Sequence, residues 1–408
     1  TAFLIVYTLG TLPLGIWADR SKRKNVVAVC VAVWSLATAF TALANSFATL
    51  FISRMVLGIG EAGYYPAGTA LLSDYFSRTK RARIMSWWSA GSLIGLMVGF
   101  IVGGVVAALY FGSWRLAFLF TGIPGLLLAF LSWRLREPRR NEADEQALEL
   151  DPHSMMNELE VEEVHTIVVP KNVVSQFGTL LRIKTISVLI SMQVFAFFVL
   201  GANVVYLPTY LQQKDTFGMS SGTAGIFSGG VIVVAGIAGL LVGGFLSDVL
   251  NRRYPGARVL VCGIGFLLGA PAFVLAITIH SIVLFSVFFV LTVLLLNVYN
   301  GPSTAATQDV VPSALRASAV AISLLIAHLL GDAFSPLLVG VLANNFDPTH
   351  GTHFANSIAG NDLSVALLIT CTPALVVAGL IGIFGARWMK GDILAAERAD
   401  RLAKEKAG

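Results

Sequence analysis

The sequence predicts an all-α protein that crosses a membrane many times. Of its 408 residues, 56% are apolar and only 12% are charged, whereas soluble domains carry about 25% charged residues. The apolar residues form continuous blocks of about 20 to 28 residues, the length that spans a hydrocarbon layer of ~30 Å. Because these blocks are continuous rather than alternating in polarity, they predict helical spans and not barrel strands.

Eleven blocks are long and apolar enough to be spans: residues 1–18, 26–44, 47–73, 84–109, 115–134, 185–211, 222–247, 258–279, 281–301, 317–344 and 363–388. A polar, acidic segment separates the first five from the last six, and we interpret it as a cytoplasmic linker. The predicted organisation is a first bundle at 1–134, the linker at 135–184, a second bundle at 185–388 and a tail at 389–408.

The basic residues indicate the orientation. Of the 28 lysine and arginine residues, 25 lie in one set of alternate loops and the tail, and positively charged loops stay on the cytoplasmic side. We therefore expect a cytoplasmic C-terminus, in a plasma membrane or a bacterial inner membrane. These loops account for the net charge of +5, so nucleic acid is not an expected partner. Cys30, Cys262 and Cys371 lie in separate spans and are expected to be free, buried thiols.

The two halves repeat one another at their loops. Gly15, Asp19 and Arg23 recur 229 residues later as Gly244, Asp248 and Arg252. Asp74 and Arg81 recur 235 residues later as Asp309 and Arg316. Both matches fall on the basic side, so the halves run in the same direction, as in transporters built from parallel repeats.

These repeated residues are the predicted gate between the bundles. A glycine lets two helices approach closely, and an aspartate can accept hydrogen bonds from a neighbouring helix N-terminus or arginine. Such contacts hold one conformation until the bundles rock apart. The predicted gating residues are Gly15, Asp19, Arg23, Asp74, Arg81, Asp248 and Arg252.

The first of these loops resembles the signature G-x-L-A-D-R-x-G-R-K of the major facilitator superfamily, with Trp17 and Lys22 as its departures. Three further strings, at 54–66, 300–302 and 328–336, resemble the spinster-like transporters of that superfamily. The resemblance implies a major-facilitator fold of two six-helix bundles. In that family the signature loop joins the second and third helices, so the first helix is expected to be absent from this chain. The resemblance also implies transport by alternating access, with a single-chain, lipid-like amphiphile as the substrate.

Arg54 and Glu61 are the first candidates for the transport site. They are seven residues apart, so they share a helix face and lie about 10 Å apart along the axis. Ionisable groups at membrane depth are costly and usually face a cavity. Arg54 suits a phosphate or carboxylate head group, and Glu61 suits a proton carrier because an apolar surrounding stabilises the neutral carboxyl. Arg54 is then expected to stabilise ionised Glu61 until an anionic substrate binds Arg54. The alternatives are a structural ion pair or an arginine at a helix end that serves packing.

His328 and Asp332 are four residues apart on one span, where they could relay protons or form a structural hydrogen-bonded pair. Buried amides in spans either line a cavity or tie two helices together, and both interpretations stay open for the asparagines below. The predicted substrate contacts are Arg54, Tyr64, Asn203, Tyr206, Asn297, Asn300 and His328, and the predicted proton-coupling residues are Glu61 and Asp332.

Several other patterns limit the functional classes. Gly91, Gly95, Gly99 and Gly103 predict a close helix-packing seam. Asp347, His350 and His353 lie in a long external loop and are not expected to bind metal. The sequence contains no Walker, GxSxG or HExxH pattern, so neither an enzyme nor a bound cofactor is predicted, and a proton gradient is the expected energy source.

The favoured function is therefore a proton-coupled secondary transporter of a lipid-like anion, acting as a monomer among membrane lipids. One alternative keeps the fold and changes the cargo to an organic anion such as a sugar acid or carboxylate. A second alternative is an uncoupled lipid flippase, channel or receptor. If transport depends on a proton gradient, the two coupled hypotheses are favoured over the uncoupled one.

Overall fold

The computed structural model describes residues 2–109, 114–150, 173–213, 216–346 and 361–406, together with residues 167 and 170. Within these ranges the chain is helical and contains no β-strand, so the predicted all-α class is confirmed. The first half contains six helices: α1 (Ala2–Arg20), α2 (Arg23–Thr41), α3 (Phe47–Ala62), α4 (Tyr64–Tyr75), α5 (Arg78–Leu109) and α6 (Trp114–Arg134).

Two short helices occupy the predicted linker, α7 (Glu142–Leu150) and α8 (Val173–Arg182). The second half contains α9 (Lys184–Gln212), α10 (Ser221–Asn251), α11 (Ala257–Thr278), α12 (Ile282–Asn297), α13 (Asn300–Asp309), α14 (Arg316–Ala327), α15 (Ser335–Phe346) and α16 (Asn361–Gly385). The tail forms α17 (Met389–Glu405).

Each predicted span corresponds to a helix or to an interrupted pair of helices. The third predicted span is divided at Gly63 into α3 and α4, and the tenth is divided by a π-helical turn at His328–Asp332. Serine side chains begin two of the helices: Ser46 caps α3 by accepting from the Thr49 N–H at 3.2 Å, and Ser220 caps α10 in the same way. Such caps satisfy N–H groups that have no partner inside the helix.

Within the described residues, eight helices are long and apolar enough to cross a membrane. Many large apolar side chains on these helices are exposed, among them Ile226, Val283 and Leu127. In a water-soluble protein such a surface would be unstable, but it matches hydrocarbon around a membrane protein. The chain is therefore a multi-pass membrane protein. Cys30, Cys262 and Cys371 are buried and unpaired, as predicted.

The halves meet along two pairs of closely packed helices. A Cβ atom on Gly15 of α1 would lie 2.6 Å from Ala321 Cβ of α14, and one on Gly244 of α10 would lie 2.4 Å from Ser86 Oγ of α5. These two glycines are repeat partners, so the same close approach is used twice. Both positions therefore require glycine for the halves to pack against each other.

The predicted glycine seam on α5 is wrong for the residues that the structure describes. A Cβ atom on Gly91, Gly95 or Gly99 would meet no heavy atom within 4 Å, and all three residues are exposed; the surroundings of Gly103 lie outside the described part. Small residues at helical spacing create a surface that can pack closely. Among the described residues, no neighbouring helix makes that close approach at Gly91, Gly95 or Gly99.

Candidate functional site

The two halves exchange aspartate caps at one end of the bundle, which we call the basic end because it carries the basic loops and the tail. Asp19 at the end of α1 accepts from the backbone N–H groups of Ala317 and Ser318, at 3.0 and 2.7 Å, at the start of α14. Asp248 at the end of α10 accepts from Ala82 and Arg83 at 3.2 and 2.9 Å in the first turns of α5. Each half thus caps a helix of the other half, where a carboxylate is stabilised by the helix dipole.

A second reciprocal pair joins the same end by charge. Asp74 of the first half forms an ion pair with Arg316 of the second at 3.0 Å. Asp309 of the second half forms an ion pair with Arg81 of the first. All four side chains are at most 2% exposed. Because the partners belong to different halves, these contacts must break if the basic end opens.

Arg23 joins both kinds of contact. Its guanidinium lies 3.3 Å from Asp19 Oδ1, forms an ion pair with Asp74, and donates to the Ser313 carbonyl of the second half at 2.5 Å. Six of the seven predicted gating residues therefore lie at one interface. Their role in gating remains a proposal that follows from this placement.

Arg252 is the exception, and its predicted place in the gate needs correction. It follows the end of α10 and is exposed. Arg258, in the first turn of α11, is buried instead, and it pairs with Asp248 at 3.2 Å and with Asp309. Counting a fixed offset along the sequence selected Arg252, whereas the turn between α10 and α11 brings the later arginine back to the interface.

The linker and the tail add further contacts across the basic end. Asp144 of α7 pairs with Arg81 at 2.7 Å and lies 3.9 Å from Arg316, so it touches both halves. Burial acts to raise the pKa of Asp144, but the surrounding arginines lower that pKa to about 2. Asp400 of α17 accepts from the Ser313 N–H at 3.0 Å and from Asn141 Nδ2 of the linker at 2.6 Å.

A cavity of about 310 Å³ lies between the halves. Its polar lining consists mainly of hydroxyl and amide groups, from Tyr7, Tyr65, Ser89, Ser92, Gln193, Asn297, Tyr299, Asn300, Ser303, Thr304, Thr307 and Ser323. Apolar walls come from residues such as Leu93, Phe197 and Leu240. His328 is the one described lining residue that can carry a positive charge. The cavity therefore offers polar and apolar surfaces together.

His328 is fixed by the π-helical turn in which it lies. Its Nδ1 lies 2.9 Å from Asp332 Oδ2, and its ring makes edge contacts with Tyr7 and Phe197, at centroid distances of 5.5 and 5.0 Å. Gly331 in the same turn lies against α9, because a Cβ there would come within 2.7 Å of Phe197 Cβ. π-Helical turns occur frequently at functional sites. His328 and Asp332 thus form a supported pair beside the cavity.

Asn297 and Asn300 also line the cavity, where α12 gives way to α13. Asn297 Nδ2 donates to the Val293 carbonyl at 2.8 Å, and Asn300 Nδ2 donates to Asn297 Oδ1 at 3.3 Å. One turn further along α13, the Thr304 hydroxyl lies 3.2 Å from the Tyr65 hydroxyl, and this contact joins the second half to the first. Three of the seven predicted substrate contacts therefore lie in one place.

The other four predicted contacts lie outside the residues that line this cavity. Arg54 packs over the Phe118 ring of α6 at 5.0 Å and forms no ion pair with Glu61 within 4.0 Å in the described structure. Tyr64 packs between Trp34, which meets its ring edge to face, and Trp88, which stacks on it, at centroid distances of 4.8 and 4.9 Å. Two helical turns separate Arg54 from Glu61, which is too far for a direct pair.

Asn203 and Tyr206 tie helices together within the second half. Asn203 is buried and donates to the Val199 carbonyl at 2.8 Å, with Cys371 Sγ at 4.0 Å. Tyr206 donates to the Pro336 carbonyl of α15 at 2.8 Å. Of the two interpretations left open by the sequence, the geometry favours helix tying for Asn203 and Tyr206.

Glu61 lies at the last turn of α3 and does not line the cavity directly. Tyr7 of the neighbouring α1 does line the cavity, and its backbone lies against α3 at Gly58, one turn before Glu61. Sequence inspection missed Tyr7, Tyr65 and Gln193, because a polar residue in an apolar span does not reveal which way its helix is turned.

Within the described residues no group of three His, Cys, Asp or Glu side chains could hold a metal; Asp347, His350 and His353 lie outside them.

The family model of the Major Facilitator Superfamily matches residues 1–336. The chain belongs to this superfamily. Its members are transporters rather than enzymes, and the predicted fold is confirmed. The chain is 27% identical to Protein spinster of Drosophila melanogaster over 84% of its own length and 54% of the relative, so it spans about half of that protein. It is 27% identical to Protein spinster homolog 1 of Xenopus laevis, covering 97% of the chain and 74% of the relative.

A third relative carries a more specific name. The chain is 26% identical to the Sphingosine-1-phosphate transporter SPNS2 of Danio rerio, covering 93% of the chain and 74% of the relative. Within the superfamily, the chain is therefore similar to the spinster proteins. Among solved structures, a bacterial homolog of the human lysosomal transporter Spinster, inward-facing and unoccupied, matches with a TM-score of 0.60 at 23% identity, covering 96% of this chain and 88% of that one. The proton:xylose symporter XylE matches with a TM-score of 0.63 at 16% identity, covering 95% and 84%.

Proposed function

We propose that this spinster-like chain is a secondary transporter that carries a lipid-like anionic amphiphile, of the lysolipid or sphingoid-phosphate type, by alternating access. The observation that carries the proposal is the cavity between the halves beside a basic end closed by reciprocal contacts. A transporter of this kind opens its central site to one side at a time. With the basic end on the cytoplasmic side, as the loop charges predict, the described state is closed towards the cytoplasm.

The lining of the cavity supports an amphiphile. Leu93, Phe197 and Leu240 offer apolar surface, and Gln193 and Ser303 offer side-chain polar groups for a head group. Ligand sites of this kind combine apolar walls with a few placed polar groups. The Danio rerio relative, a sphingosine-1-phosphate transporter by name, points to the same chemical class.

His328 supports an anionic head group and links it to protons. An imidazole that lines the cavity attracts an anion only when it is protonated, so anion binding and proton binding there favour each other. Asp332 Oδ2, at 2.9 Å from Nδ1, holds the ring in place beside the cavity. Arg54, the sequence-based choice for the anion, is directed at Phe118 instead.

Glu61 is the proposed coupling carboxylate, and Tyr7 is its connection to the cavity. The Tyr7 ring contacts His328 at a centroid distance of 5.5 Å, and the Tyr7 backbone packs against α3 one turn before Glu61. A phenol can both accept and donate a proton. Movement of protons between Glu61 and the His328–Asp332 pair would then pass by Tyr7.

An uptake panel in proteoliposomes tests the proposal. Lysolipids, sphingoid phosphates and sugar acids are supplied with and without a pH gradient, to the wild type and to Glu61→Gln. We expect uptake of a single-chain anionic lipid that the gradient stimulates in the wild type only. Uptake of the sugar acid alone would establish the organic-anion symporter instead. Lipid movement that is the same with and without the gradient would establish an uncoupled flippase.

A further inference from the structure

A second groove, of about 560 Å³, lies on the outer surface of the second half at the basic end. It is formed by the end of α8, the start of α9 and the end of α16 with the residues that follow. Val377, Leu380 and Phe384 expose 39, 42 and 62% of their surface along one face of α16. Exposed apolar side chains at this spacing on a membrane helix face lipid tails.

Basic and aromatic side chains surround the end of this groove. Arg182 and Lys184 line it, and both are exposed. Trp388 also lines it, with the Lys184 ammonium 5.9 Å and the Arg387 guanidinium 4.6 Å from its ring centroid. None of the described residues that line the groove is acidic. Asp392, which follows in α17, accepts from the Thr185 N–H at 2.8 Å and so caps the start of α9.

We propose that this groove binds an anionic phospholipid of the surrounding membrane. Its acyl chains would lie along Val377, Leu380 and Phe384, and its phosphate would lie among Arg182, Lys184 and Arg387. Basic pockets between spans on the side of positive loops bind anionic head groups, and tryptophan favours the same depth of the bilayer. The site is separate from the transport cavity, and the proposal requires only that the chain spans a membrane.

The first half provides an internal comparison. A groove of about 540 Å³ there is lined by apolar residues such as Val33, Phe40 and Ile52, and by no charged residue among those described. The two grooves have nearly the same volume and differ in charge. Bulk lipid tails would fill both, so preference for an anionic head group should be confined to the groove at Trp388.

Native mass spectrometry of the full chain with phosphatidylglycerol or phosphatidylcholine tests the site. The triple variant Arg182→Gln, Lys184→Gln and Arg387→Gln is compared with a matched control, Lys80→Gln, Arg253→Gln and Arg401→Gln, which removes three exposed basic residues of the same end. We expect the wild type and the control to prefer phosphatidylglycerol. The groove variant should lose this preference roughly fivefold per charge, because each basic residue near an anionic surface contributes about 1 kcal/mol.

Tryptophan fluorescence locates the lipid. Brominated phosphatidylglycerol should quench the wild type more than Trp388→Phe, and brominated phosphatidylcholine should show a smaller difference between the two proteins. The single variant Lys184→Gln supplies the same test if the triple variant does not fold. Equal losses in both triple variants, no preference for phosphatidylglycerol, or displacement by soluble glycerol phosphate would each overturn the proposal.

Discussion

Replacing Asp19 with asparagine should open the basic end without unfolding the protein. The Asp19 carboxylate accepts from two N–H groups of α14, at 3.0 and 2.7 Å, and lies 3.3 Å from Arg23. Asparagine keeps one oxygen acceptor at the same place but removes the charge. A loss of about 1–2 kcal/mol is expected for one charge-assisted contact, which moves a two-state balance roughly five- to thirty-fold. The two N–H contacts join different halves, so weakening them destabilises the closed state selectively, whereas the Arg23 contact lies within the first half and can persist in both states.

Distances between spin labels would measure the shift. Lys80 and Arg253 are exposed on opposite halves at the basic end, and cysteines placed there can be labelled while the three native cysteines are buried. The Asp19→Asn variant should enrich the longer distance, and Asp248→Asn should do so to a similar extent because it makes the reciprocal cap.

Asp392→Asn is the matched control for this experiment. Asp392 caps α9 through the Thr185 N–H at 2.8 Å, and α9 belongs to the same half as the tail that carries Asp392. Its replacement removes a cap of the same kind without weakening a contact between the halves. The variant should lose thermal stability and keep the wild-type distance distribution. If Asp392→Asn shifts the distances as far as Asp19→Asn does, the reasoning about the interface is refuted.

Four further outcomes follow from the site. Glu61→Gln should abolish the dependence of substrate affinity on pH between about 5 and 8 while preserving binding, and an unchanged pH slope would transfer the coupling role to the His328–Asp332 pair. Tyr7→Phe should slow gradient-driven uptake and spare substrate exchange at equal pH; equal slowing of both would contradict the relay. Arg54→Ala should cost about 0.5–1 kcal/mol of stability from the lost Phe118 contact with unchanged lipid selectivity, and a selective loss of anionic lipids would restore the sequence-based role. The pKa of Asp144 is lowered to about 2, so its contribution is complete above the ordinary carboxyl range and lost only as pH falls towards 2. Label distances in Asp144→Asn and the wild type should therefore differ by the same amount at pH 5 and pH 8.

The sequence predicted the helices and the repeat because both are properties of the chain itself. The spans are predicted from the lengths of the apolar blocks, and the offset between Asp19 and Asp248 can be counted directly along the sequence. The sequence did not predict that the contacts between the halves are reciprocal. A repeat shows which residues are equivalent, and it does not show that Asp19 reaches across to α14 while Asp248 reaches across to α5. Arg258 escaped notice for the same reason, since the turn before α11 is not part of the repeat.

The cavity was predicted less completely than the gate. Polar residues stand out in apolar spans, and this signal found Asn297, Asn300 and His328. It could not separate Tyr64 from Tyr65, because neighbours on a helix differ by about 100° in direction and only helix packing decides which one faces inward. Tyr64 packs against Trp34 and Trp88 within the first half, whereas the Tyr65 hydroxyl contacts Thr304 of the second half.

The composition of the closed end explains how such a dense set of contacts can still open. Asp74, Arg81, Asp309 and Arg316 are at most 2% exposed, so each has given up nearly all of its hydration. Removing charges from water opposes the attraction between them, and buried ion pairs often contribute little net stability. When the halves separate, water returns to these groups and offsets the lost pairing. An apolar interface of the same size would gain no such compensation on opening. We therefore expect the charged contacts to fix the register of the two halves while keeping the free-energy difference between closed and open states small enough for a substrate or a proton to reverse it.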